Sequence, residues 1–342
     1  MTKKKFLWSF HYFRAFAILN IILIHTWRFP PNSSYELGSN FVDTTRDMLF
    51  HGSTIYFLFI SGFLFHYLSK KFSTYTYYLG KFKNVVLPYL FISICFILME
   101  DFIGVKTSLS FNEYLLRLVD KLIKGTASFQ FWYIPFIILV FLISPFFLKI
   151  KKESFIKYIP ILFLLPILGT RTSISITFWQ FVYFLPAYLI GMYSSINYDY
   201  FIGLIKQYKN YIYATAIVSS IILLYVNHDL NYYNLFSPRE SLVYIQKMSI
   251  TFIFLNIFKN ISSNKVPFLN LIANCSFALY FTHAFVDRHL KKIYFIADTY
   301  TVELLKIPLS IVYVLLLIFV NVLLCFIAKK ILGKKSRYLL GY

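Results

Sequence analysis

The sequence predicts an all-α, polytopic integral membrane domain of about ten transmembrane helices with both termini cytoplasmic, and three observations predict it. Hydrophobic residues make up 58% of the 342 and charged residues only 14%, with 40 Phe and 29 Tyr; in soluble domains about a quarter of residues are charged. Apolar stretches near the ~20 residues that a bilayer-spanning helix requires recur along the chain at 8–29, 48–69, 85–103, 131–149, 174–195, 211–227, 242–258, 268–286 and 307–328. The basic residues behind the +20 formal charge flank these stretches instead of forming one tract. That is the arrangement of topology signals, and it excludes nucleic acid as a partner.

The first stretch follows Lys3-Lys4-Lys5 and has the outline of a secretion signal. His11 and Arg14 interrupt it, and it ends in Trp27-Arg28-Phe29-Pro30-Pro31 with no small-residue cleavage site, so it reads as a retained helix. Arg14 and His25 lie eleven residues apart on it. At about 100° and 1.5 Å per residue they share one face at depths roughly 16 Å apart. Ionisable groups at such depths are costly and point to function by default.

In the second stretch, Ser61-Gly62 supplies small residues of the kind that permit close helix approach. Lys70, Lys71, Lys81 and Lys83 bracket the loop after it. Charge alone leaves them either topology determinants or holders of the phosphates of a nucleotide-type cofactor. Between Gly104 and Gln130, residues 111–123 place apolar positions at helical spacing with charges opposite, which predicts an amphipathic helix on the outer surface. Trp132-Tyr133-Ile134-Pro135 opens the fourth stretch where an interfacial aromatic belt belongs. A tenth, 156–169, is short and carries Pro160 and Pro166.

The orientation rests on a count. Segments 1–5, 70–84, 149–157, 197–210, 259–270 and 329–342, cytoplasmic in the ten-helix arrangement, hold 20 Lys and Arg, against 11 in the longer outer segments. Positive residues concentrate inside. No Pro/Gly/Ser linker divides the chain, so 1–342 reads as a single membrane domain. Cys95, Cys275 and Cys325 stand isolated in apolar runs without CxxC or His partners, and neither a disulfide nor a metal site is implied.

Three residues are candidates for chemistry. The imidazole of His25, with an ordinary pKa of about 6.5, can accept a hydroxyl proton; the competing reading is an interfacial histidine beside Trp27. Arg14 cannot lose its proton, and serves either as a partner for an anion or carbonyl or as a snorkelling residue. His283, toward the outer end of the ninth stretch, falls near the depth of His25, either to converge with it or to sit at the rim.

Together these motifs resemble membrane acyltransferase family 3, multi-pass acyltransferases of surface glycans and other extracytoplasmic acceptors. Arg14 and His25 match its arginine, ten residues, histidine signature. Phe59-Ile60-Ser61-Gly62-Phe63-Leu64, Lys81-Phe82-Lys83 with Leu87-Pro88-Tyr89, Phe131-Trp132-Tyr133-Ile134-Pro135 with Ser144-Pro145, and Phe184-Leu185-Pro186-Ala187-Tyr188-Leu189-Ile190-Gly191 are similar to its later segments, in order. Ser276-Phe277, Leu279-Tyr280 and His283 follow in the same way. Two departures are visible: Gln130 stands where many members place a histidine, and Lys81 and Asn84 stand where an arginine pair is common.

The resemblance implies an O-acyltransferase of the cell membrane. It would move an acyl group, acetyl above all, from cytoplasmic acyl-CoA to a hydroxyl of a surface polysaccharide, capsular for instance, or a lipid-linked glycan. His25, Arg14 and His283 would form the catalytic set, with His25 either general base or brief acyl carrier, and Lys81, Lys83, Lys70 and Lys71 would be the donor-phosphate set. Ten helices with intramembrane charge also describe a glycan or lipid transporter or flippase, although the internal repeats common in carriers are not visible. A non-catalytic partner of a glycan synthase would not need Arg14 and His25 on one face.

Overall fold

A computed structural model describes residues 6–30, 33, 35–69, 72–103, 110–171, 176–226, 237–261 and 266–342, with backbone alone at 101–103, 152 and 154–156. Lys3-Lys4-Lys5, Pro31, Lys70, Lys71 and the segment 104–109 lie outside the described residues. The described chain is helical throughout, without strands. Its first half comprises α1 (Trp8–Thr26), α2 (Glu36–Phe50), α3 (Thr54–Leu68), α4 (Thr74–Lys81), a π turn (Phe82–Val86), α5 (Leu87–Ile103), α6 (Phe111–Lys124) and α7 (Tyr133–Phe147). Then follow α8 (Lys152–Leu168), α9 (Phe178–Ile196), α10 (Tyr198–Gln207), α11 (Lys209–Val226), α12 (Pro238–Phe258), α13 (Pro267–Thr299), α14 (Glu303–Leu332) and α15 (Ser336–Leu339).

Five helical segments among the described residues are long and apolar enough to cross a membrane: Glu36–Leu68, Thr74–Glu100, Pro238–Phe258, Pro267–Thr299 and Glu303–Leu339. Tyr133–Phe147 and Lys157–Leu168 are apolar but shorter. α1 has 19 residues and falls outside that set because His11, Arg14, Asn20 and His25 dilute its hydropathy. Polar side chains there are tolerated because the helix is packed on nearly all sides, its Phe10–Phe13 portion in one apolar core with α3, α7, α9 and α12, and its Ala15–Ile22 portion in a second core with α5, α13 and α14.

α3 and α9 cross at closest range. A Cβ on Gly62 would stand 1.9 Å from the Tyr188 carbonyl oxygen, and one on Gly191 would stand 2.2 Å from that of Phe59, so only glycine lets the backbones meet. The small residue at Gly62 therefore packs, as its sequence context predicts. α7 carries Pro145, which cannot donate to the carbonyl four residues back. The Tyr77 hydroxyl of α4 donates to that freed Phe141 carbonyl at 3.3 Å, fastening α4 beside α7.

The surface helix at 111–123 is present as α6, closed by a Ser110–Glu113 capping box and ended at Gly125. Phe111, Leu115, Leu116, Val119 and Ile123 are all exposed along it. Elsewhere the hydropathy reading misplaced boundaries. The second stretch begins at Thr54 instead of 48, and the preceding loop contains α2, whose two aspartates and arginine hide it from a hydropathy count. α13 runs thirteen residues beyond the expected 286, to Thr299, and the short 156–169 stretch falls, up to Leu168, within the 17-residue α8.

Candidate active site

α1 and α13 lie side by side in constant register. His11 Nε2 meets Asn270 Oδ1 at 2.9 Å, Arg14 Nη2 donates to the Ala273 carbonyl at 2.7 Å, and Arg28 Nη2 donates to Asp287 Oδ2 at 3.1 Å, each pair 259 residues apart. A constant offset over these turns requires the two helices to run in the same direction, because only then does each step of 1.5 Å along one match a step along the other.

That register brings the two sequence-predicted histidines together. The rings of His25 and His283 stack with centroids 5.8 Å apart and planes 18° from parallel, and Phe129 sets its edge against His25 at 4.6 Å. His283 is fully buried, whereas His25 is half-buried. Nδ1 of His283 lies 2.9 Å from the Leu279 carbonyl. A carbonyl only accepts, so Nδ1 carries the hydrogen and Nε2, buried and without a hydrogen-bond partner among the described residues, is the acceptor of the neutral ring. Gln130, on the loop before α7, is buried close by. Its side-chain oxygen accepts from Ser128 at 2.6 Å and its backbone carbonyl accepts from the Tyr280 hydroxyl, which ties that loop to α13.

Below the histidine pair, toward the Trp8 end, a cavity of about 310 Å³ opens between the two cores. Arg14, Ser61, Lys81, Asn84, Tyr133, Ser276, Tyr280 and Arg337 supply its polar lining, and no carboxylate side chain among the described residues lines it. Tyr280 joins it to the pair above, its ring 6.4 Å from that of His283. Arg14 keeps its Nε buried without a hydrogen-bond partner among the described residues, and so does Asn84 its Oδ1. Lys81 Nζ sits over the Phe141 ring at 3.6 Å and near the Tyr77 ring at 5.4 Å, contacts in which a cation is held by aromatic faces alone. Lys83 is exposed, since two residues along a helix turn about 200° and a side chain there cannot share the face of Lys81. Of the four basic residues expected to gather phosphates, Lys81 lines the cavity, Lys83 does not, and Lys70 and Lys71 lie outside the described residues.

Around the Thr26 end, ion pairs collect that the sequence reading did not anticipate. Glu240 is fully buried and takes His51 Nε2 at 2.8 Å and Arg239 Nη1 at 3.6 Å, with Arg171 Nε at 3.9 Å. Arg239 also binds Asp47, and the buried Lys247 donates to the Leu49 carbonyl at 2.7 Å and to Gln246 at 2.6 Å. The guanidinium of Arg171 lies 5.9 Å from the Trp132 ring. The one visible signal for this cluster was Pro238-Arg239-Glu240 opening an apolar stretch, which reads equally well as an ordinary helix start. Arg337 was likewise legible only as part of a basic run, Lys334 to Arg337.

A family model described as an acyltransferase domain, that of acyltransferase family 3, matches residues 7–330. The chain belongs to this family. No curated protein and no solved structure matches. As an acyltransferase, the molecule needs a place for an acyl donor and a group to accept the proton of the attacking nucleophile. The cavity and the histidine pair have chemistry suited to those tasks.

Proposed function

We propose that this acyltransferase takes an acetyl group from acetyl-CoA on the cytoplasmic side and transfers it to a hydroxyl of an extracytoplasmic glycan, a capsular or other surface polysaccharide, at the plasma membrane. The observation that carries the reading is the cavity of Arg14, Lys81 and Arg337. Three cations face one space with no carboxylate among its lining, so an anionic donor supplies the missing charge. From there a pantetheine arm has to climb roughly 16 Å, the rise from Arg14 to His25, to bring a thioester to the imidazoles.

In the reaction the acceptor hydroxyl oxygen attacks the thioester carbonyl as its proton passes to His25, whose half-buried ring is reachable from the acceptor side. Collapse of the tetrahedral intermediate expels the CoA thiolate, which takes up the proton, leaving the ester and free CoA. His283, held by Leu279, keeps the His25 ring stacked and oriented. Arg14 acts on the donor, its guanidinium fixed by Ala273.

Ten spans with cytoplasmic termini suit this reading. The common direction of α1 and α13 is what the first and ninth of ten alternating spans require, and together with the positive-inside count it supports reading the cation-lined cavity as facing the cytoplasm. Single cysteines beside Thr2 and beside Tyr342, probed with an impermeant label in intact cells, should stay unlabelled; labelling of either reverses the arrangement. The function itself is tested by purified protein reconstituted with acetyl-CoA and surface glycan. Acceptor-dependent release of free CoA with one acetyl ester gained per CoA is expected, and glycan acetylation in cells should vanish with the protein. CoA release without an ester on the glycan would refute the acceptor.

A further inference from the structure

The cavity has a wall that the family match does not reach. The match ends at residue 330, yet Arg337 and Gly341 line the same cavity as Arg14 and Lys81. The segment Ser336–Tyr342 folds back to get there. Leu340 N–H donates to the Ser336 carbonyl at 2.8 Å, and the Ser336 hydroxyl donates to the Tyr342 carbonyl. The Tyr342 ring takes Lys329 Nζ over its face at 4.3 Å, while α15 rests on α5 and the π turn beside Lys81.

Gly341 has φ +79°, and a Cβ there would stand 2.4 Å from the Phe277 ring. Only glycine takes that backbone angle without strain and leaves the segment flat against Phe277, itself part of the cavity lining. A built contact of this kind holds Arg337 at the cavity mouth, where its side chain is exposed and no carboxylate among the lining residues neutralises it.

We infer that Ser336–Tyr342 is the closing wall of the donor site and that Arg337 grips a phosphate of the donor, completing with Lys81 and Arg14 a three-cation clamp. The inference rests on the acyl-CoA reading and adds a phosphate-binding residue to it. A guanidinium at the mouth can take two oxygens of one phosphate at once, and the deeper Lys81 acts as a point charge. The same chemistry would suit the phosphate of an anionic lipid headgroup, so the test separates the two sources.

The probe is CoA itself, titrated onto the protein in nanodiscs of zwitterionic lipid and, separately, of lipid containing phosphatidylglycerol, with donor KM and kcat measured alongside. Arg337→Ala should weaken CoA binding and raise donor KM by about ten-fold or more, as expected for losing a charge-assisted contact, with kcat little changed. Arg337→Lys should recover part of the loss. Gly341→Ala, which alters no charge, should raise donor KM in the same direction by lifting the segment off Phe277. Lys334→Ala, an exposed neighbour outside the cavity lining, should change neither value. CoA binding by wild type with Arg337→Ala unchanged overturns the clamp and leaves the acyl-CoA reading standing. Equal losses in Arg337→Ala and Lys334→Ala reduce the effect to bulk charge and overturn it. A change seen only in the anionic-lipid discs assigns Arg337 to a headgroup and overturns it as well. Failure of wild type to bind CoA at all brings down the acyl-CoA reading and the clamp together.

Discussion

Around the end of α1 that holds His25, cations face carboxylates: Arg28 meets Asp287, Arg46 meets Asp43, Arg239 meets Asp47, and His51 and Arg171 meet Glu240. Eleven residues earlier, around Arg14, the cations face a backbone carbonyl, two aromatic rings and a cavity. On the proposed function, the difference separates scaffold from site. A paired charge inside a membrane protein has its electrostatic demand met by the fold, whereas a set of like charges without counter-charges waits for a ligand to supply them. The histidine pair lies between these regions.

Removing the base should have the largest effect. His25→Ala is expected to cut acyl transfer by ~10²–10⁴-fold while the protein stays inserted and monodisperse, and retained transfer would end the mechanism. A labelled acyl group still appearing on the His25→Ala protein would show that His25 is not the only acyl carrier.

On the paired side, Glu240→Ala should act on stability. Removing one partner of a buried ion pair typically costs about 3–5 kcal/mol because the other charges stay behind uncompensated. Thermal unfolding in detergent should therefore fall steeply for Glu240→Ala. A variant as stable as wild type would mean that this cluster is hydrated and not structural.

On the unpaired side, substitutions should change donor use more than stability. Arg14→Lys keeps the charge but loses the planar fork that binds Ala273 while leaving Nε free, so transfer should drop about ten-fold. Near-normal transfer would show that charge alone suffices there. Lys81→Ala should raise the donor KM by about ten-fold, with Lys81→Arg tolerated. The smallest effect is expected two residues away, where Lys83→Ala should leave donor KM within about two-fold, because its side chain leaves the opposite face of the helix. Equal behaviour of the two lysines would erase the distinction between cavity and surface.

Some of this was legible before any fold was known. Spacing alone put Arg14 and His25 on one face, amphipathic periodicity marked α6, and the small residues Ser61-Gly62 anticipated a close helix approach. These features are local, set by the 100° step of a helix and by side-chain size. The pairing of His25 with His283 is of another kind. It depends on a register between α1 and α13 maintained by His11, Arg14 and Arg28, residues whose partners lie 259 positions away.

The membrane character of this protein, its helical class and the shared face of Arg14 and His25 on α1 were determined by the sequence itself, because hydropathy and periodicity act within a single helix. Tertiary structure alone decided that Lys81 enters the cavity while Lys83 turns away, that Glu240 gathers three basic side chains, and that Arg337 returns to line the same cavity as Arg14. The reason is physical. A charge in a chain reads the same whether or not a counter-charge meets it, and only packing brings the distant residues near enough for the Coulomb energy to decide between scaffold and site.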